Sequence, residues 1–419
     1  GWGQGLTILT CMMNLLPRLA GEERARALYH GLSAVANDCD GAPPRFELGP
    51  LPDAPSDFAT LKRWLRQLVE VRDADGAERC VATAIRAGAN PAQMADMLFA
   101  AATDHRYIQI GHPLDFTNKA FEALDLAGWS HAEPVLTSLV GNYTRADRME
   151  ESNAWRHPAD LVSILEQAFD RLPTALEEGS HPSRKWIGHS ELASAVLGET
   201  PQAIVDALLD GVRQGASAAD LAGAVVYAAA LRIAQFHTSN EFGDWDTALH
   251  SFTFANAVHQ GLYRVPSIEL LRGVFDAAMS VYLDRFLNVP PARLPDSQDK
   301  TADPETILGE WAGLLNRQQQ VNEAGELVSR YLNNDGAPER LIATLGQLLL
   351  REDRNFHTIQ CMEAAVRQVS DGAQPDVRIP ILVAAARYLA AHAPTMRAQG
   401  QTYQIAYRLH RGERLFEDA

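Results

Sequence analysis

Apolar residues recur at helical spacing along almost the whole chain. In residues 77–87, Cys80, Val81, Ala84 and Ile85 form a stripe beside Glu78, Arg79 and Arg86. Residues 271–287 repeat the pattern with Leu271, Val274, Phe275, Ala278, Tyr282 and Phe286. No sustained period-2 alternation occurs, and no Asn-Gly or Asp-Gly pair joins two such runs, so strands are not expected. Gly and Pro fall mainly between periodic segments, where they end helices. The pattern predicts an all-α protein.

Three stretches read as copies of one unit, beginning near Glu78, Gln202 and Ala324. Each has a helix, a Gly-Ala break (Gly88-Ala89, Gly215-Ala216, Gly336-Ala337), a second helix, then a histidine and a further helix. Such repeats stack with equivalent positions facing a shared interior, which predicts one large body of stacked helical repeats. Pro-rich or Gly/Pro-containing connections at residues 41–57, 172–190 and 289–304 divide the chain. The expected parts are 1–190 with the first repeat, 191–290 with the central repeat and a His-rich tract, and 291–419 with the C-terminal repeat.

Charge narrows the choice of partner. With 53 acids against 37 Lys and Arg among 419 residues, the net charge is −16, which repels nucleic acid and anionic membrane surfaces. The apolar stretch at residues 6–16 is too short to span a bilayer. Cys11, Cys39, Cys80 and Cys361 have no paired spacing, so neither a disulfide framework nor a zinc knuckle is indicated. A reducing cytoplasm fits. Position 1 is Gly rather than Met, which leaves room for a domain ahead of it.

Histidine carries the candidate chemistry. His105 and His112 lie two helical turns apart, and residues 236–260 contain His237, His250 and His259 with Glu241, Asp244 and Asp246 among them. First-row metals take imidazole and carboxylate ligands from several elements, and this tract supplies both. A lone buried histidine is more often a satisfied core residue than a ligand. No HExxH, P-loop or GxSxG motif is present. Lys119, in a segment expected to be buried, reads either as an ion-pair partner of Asp115 or as a tuned base or carbamylated ligand.

Several short elements resemble the questin oxidase-like family of helical non-haem iron oxygenases. His105-Arg-Tyr-Ile108-Gln-Ile-Gly111-His-Pro-Leu-Asp115-Phe116 is similar to one family element, His250-Ser-Phe-Thr253-Phe-Ala255-Asn-Ala257 to a second, and Asn355-Phe356-His357-Thr-Ile-Gln360 to a third. His30 matches the N-terminal family histidine least well. The resemblance implies an iron held by histidines from different helices, with His105, His250 and His357 as ligands. The family's modified lysine is Gln360 here, and Gln109 replaces a second family histidine while His112 stands nearby. The ligand set is therefore expected to draw on His105, His112, His237, His250 and His357, with His30, Lys119 and Glu241 as further candidates. The chain is also similar to helical regions fused to Rieske-type iron–sulfur domains, although it has no Rieske ligand pattern of its own.

These features lead to an expected iron-dependent oxidoreductase, an oxygenase of a hydrophobic aromatic or polycyclic small molecule, using dioxygen and an electron-donor iron–sulfur domain or protein. Phe236, Phe242, Trp245, Phe252 and Phe254 would wall its pocket, and the 289–304 loop would gate it. Two rivals stand beside it. The same histidines with zinc would make a hydrolase, because imidazole suits both metals. A helical repeat scaffold that binds a partner protein would need no metal.

Overall fold

A computed structural model describes residues 1–53, 57–180, 186–296, 302–370 and 375–414. The protein is all-α, and no strand occurs among the described residues. No helix among them is long and apolar enough to cross a membrane.

The three repeated stretches fold alike. The paired helices are Ala74–Arg86 with Pro91–Thr103, Pro201–Arg213 with Ala218–Ala234, and Val321–Asn333 with Pro338–Leu350. Each first helix closes with a backbone bond from an amide to the carbonyl five residues earlier: Ala89 to Ala84, Ala216 to Gly211 and Gly336 to Tyr331, all at 3.0 Å. This closure needs one residue in the left-handed region. Gly88 (φ +88°) and Gly215 (φ +82°) supply it in the first two copies, but Asp335 (φ 60°) supplies it in the third. The third copy is thus offset by one residue from its Gly-Ala pair. Counted from the left-handed residue, His237 and His357 each fall 22 positions later.

The chain divides into two compact units, threaded discontinuously. The first comprises Gly1–Gly3, Pro43–Arg232 and Asp246–Val289; the second comprises Gln4–Ala42, Ile233–Trp245 and Pro290–Ala419. Two of the divisions, at 42/43 and 289/290, fall at Pro-rich connections. The connection expected at 172–190 is shorter than that, because the helix Leu161–Gly179 runs through Pro173. Buried Leu172 and Ala175 on either side hold the turn in place of the amide bond that proline cannot make. Residues 54–56, 181–185 and 297–301 of the three connections lie outside the described residues.

In the first unit, Phe58–Glu70 packs on Ala74–Arg86 and Pro91–Thr103, and Ile268–Leu283 packs on Pro91–Thr103. In the second, Gln4–Leu15 lies against Arg24–Cys39 and Phe356–Ser370, while Val321–Asn333 and Phe356–Ser370 both pack on Pro375–Ala391. All four cysteines are free thiols.

Candidate metal centre

Two of the candidate histidines meet in the first unit. His112 is the first residue of the helix His112–Ala127, and His250 lies inside Phe242–Arg264. Their rings stand nearly perpendicular, with centroids 4.8 Å apart and one nitrogen of each within 4.8 Å of the other. Two imidazole nitrogens bound to one ion at about 2.1 Å stand about 3 to 4 Å apart, so a small rotation of either ring lets this pair share an ion. The donor set fits a borderline divalent metal such as iron or zinc.

The backbone that delivers His112 is strained. Tyr107 (φ 40°), Gln109 (φ 44°), Ile110 (φ 51°) and Gly111 (φ +92°) all lie in the left-handed region. For a β-branched residue such as Ile110 that is a costly conformation. Strain of this kind persists only where the surroundings enforce it, and it clusters at functional sites. Here residues 147–150 provide the clamp. The Gln109 amide donates to the Asp147 carbonyl at 2.7 Å, and the Asp147 amide donates back to Gln109 Oε1 at 2.9 Å. The Met149 amide donates to the Arg106 carbonyl and the Arg106 amide to Glu150 Oε2. Gly111 is required twice over, by its φ and because a Cβ there would stand 2.6 Å from that of Phe254.

A cavity of about 130 Å³ opens beside His250, lined by Tyr107, Ile110, Thr247, Ser280, Leu283 and Asp284. Asp284 accepts a bond from Ser251 Oγ at 2.6 Å, and Ser251 is also hydrogen-bonded to the Tyr107 hydroxyl. Burial pushes the Asp284 carboxyl up to about 7, against the opposing effects of the Ser251 bond and the Arg232 charge. Burial likewise raises the Tyr107 hydroxyl, so it stays protonated. Tyr107 is fixed by Trp155, which stacks at 6.0 Å, and by the edge of Phe254 at 5.1 Å.

The remaining candidates each have neighbours within their own unit. His105 is buried with Nδ1 2.8 Å from Glu150 and Nε2 3.6 Å from Glu70. It anchors the clamp of residues 147–150, and a carboxylate faces each of its ring nitrogens. Lys119 is buried and pairs with Glu122 Oε2 at 3.0 Å, three residues on. Glu241 is exposed and gives its amide to Asp244 at the start of Phe242–Arg264. His237 belongs to the second unit, where Nδ1 meets Ser239 Oγ at 2.7 Å. His30, also in the second unit, is buried and held neutral, its pKa lowered to about 4 mainly by burial and then by Arg26. His357, second residue of Phe356–Ser370, is half-buried against the Phe356 ring.

The expected aromatic wall divides. Phe236, Trp245 and Tyr388 pack together in the second unit, where exposed Phe242 also meets His392. Phe254 supports Tyr107 in the first. Sequence reasoning missed Tyr107, Ser251 and Asp284 altogether. Tyr107 and Ser251 each lie inside a motif singled out in the sequence, but nothing local marks Asp284.

Compared with known protein families, curated proteins and solved structures, the chain matches none.

Proposed function

We propose that the chain is a metal-dependent oxygenase, with His112 and His250 as two protein ligands of a non-haem iron. The observation that carries this reading is the perpendicular pair of imidazoles at the end of an enforced, strained loop, beside a small cavity. A bound iron supplies dioxygen activation. The chain's own residues do the rest. Tyr107, Ile110 and Leu283 give the cavity apolar walls that exclude bulk water, and Asp284, Ser251 and Tyr107 form a hydrogen-bonded chain that holds a proton at the carboxyl and hydroxyl oxygens. At about 130 Å³ the cavity is below the roughly 300 Å³ of ordinary ligand pockets, which favours a small apolar substrate over a polycyclic one.

The test is oxygen uptake by the iron-loaded protein with a panel of small aromatic substrates. Substrate-dependent uptake that is lost in H250A and slowed in D284N supports the proposal. Uptake that is equal in wild type and H250A overturns it.

A further inference from the structure

The second unit contains a cleft of about 580 Å³ that no part of the proposed chemistry uses. Its walls include Pro290, Pro291 and Leu294 on one side, with His237, Asn322 and Glu326 among the others. Arg387 lines it and is 1% exposed, the most buried residue of the lining. A guanidinium has five N–H donors. Arg387 gives one nitrogen to Asn322 Oδ1 at 2.7 Å and another to the Phe236 carbonyl at 2.6 Å, both neutral acceptors. Its Nε–H is buried with no acceptor. Glu323 acts on Arg387 through charge alone and forms no ion pair with it. A buried guanidinium without a carboxylate is costly, and proteins ordinarily pair it.

We propose that this cleft binds a small organic carboxylate, whose oxygens take up the donors that Arg387 leaves unused within the protein. The planar fork of arginine matches a carboxylate in two parallel bonds. Proline and leucine walls suit an apolar body attached to it. Arg293 also lines the cleft and offsets one of the two acids Glu326 and Asp296, which leaves no excess positive charge, so a singly charged carboxylate is favoured over a phosphate dianion. The site is independent of any metal.

The test uses the 419-residue chain without added metal and benzoate as probe, with binding followed by saturation-transfer NMR and calorimetry. Benzoate should bind saturably, with benzyl alcohol and inorganic phosphate weaker by about tenfold, the scale of one charge-assisted hydrogen-bond pair. R387Q should weaken benzoate by about tenfold or more, whereas E326Q, at an exposed wall position, should tighten it a few-fold by removing a like charge. E326Q leaves the core untouched and so decides the matter if R387Q fails to fold. Benzoate binding no tighter than benzyl alcohol, or unchanged in E326Q, overturns the site and assigns Arg387 a purely structural role between Asn322 and Phe236.

Discussion

Two buried arginines, one in each unit, are answered differently. In the first unit Arg106 pairs with the buried Asp276 carboxylate at 2.8 Å. In the second unit Arg387 meets only the neutral oxygens of Asn322 and Phe236, and its Nε is buried without an acceptor. A buried guanidinium paired with a carboxylate fixes one geometry within the chain. One that meets only neutral acceptors keeps its charge available to a ligand's carboxylate. The contrast sets an internal ion pair in the first unit against a candidate ligand contact in the second.

The sharpest way to break that contrast is to unpair the first unit. Arg106→Leu removes the partner of Asp276, a carboxyl that burial already pushes up to about 7 despite the adjacent guanidinium. A loss of about 3–5 kcal/mol in denaturant unfolding is expected. A loss below about 1 kcal/mol would show that the pair does not organise its unit.

Acid separates the units next. The Asp284 carboxyl is raised from 3.8 to about 7 in the folded chain, so its contribution is full below the unfolded value and is lost as pH rises through 7, about 4 kcal/mol in all. His30 is lowered from 6.5 to about 4, so its contribution is full above 6.5 and is lost as pH falls toward 4, about 3 kcal/mol. Hydrogen exchange followed by unit should therefore show protection around Asp284 rising, and around His30 falling, between pH 6.5 and 4.5. D284N should flatten the first trend and H30F the second. Parallel trends in both wild-type regions would contradict the assignment.

The smallest effect concerns the repeated turn. Gly88→Ala should cost about 1 kcal/mol, because the position is left-handed and no atom lies within 4 Å of the added Cβ. The equivalent left-handed residue of the third copy is Asp335, and Asp335→Gly should be neutral or stabilising by a few tenths of a kcal/mol. Thermal unfolding reads both. A Gly88→Ala variant as stable as wild type would undo the equivalence of the two turns.

Periodicity and Gly-Ala punctuation made the helices and paired repeat units legible, because both follow from local chemistry. The one-residue offset at Asp335 was hidden, since an aspartate beside a glycine marks a turn without saying which of the two turns left-handed. The five leading histidine candidates were visible only as a set. Composition could not separate His112 and His250, brought together by residues 107–111, from His105, held by Glu150 from a clamp 45 positions away. Asp284 was invisible because its partners come from positions 107, 232 and 251. Arg387, by contrast, leaves a readable trace: a lone arginine within the apolar run of residues 381–391.

The most direct test of the central claim is metal content per chain in protein isolated anaerobically, compared between wild type and the double variant H112A/H250A, with H357A alongside. Stoichiometric iron in wild type, falling to background in the double variant while helical content is kept, is the predicted result. Zinc at that occupancy would keep the centre and replace oxygen chemistry with hydrolysis. A metal-free wild type, or equal iron in wild type and double variant, would contradict the claim and leave His112 and His250 as core residues.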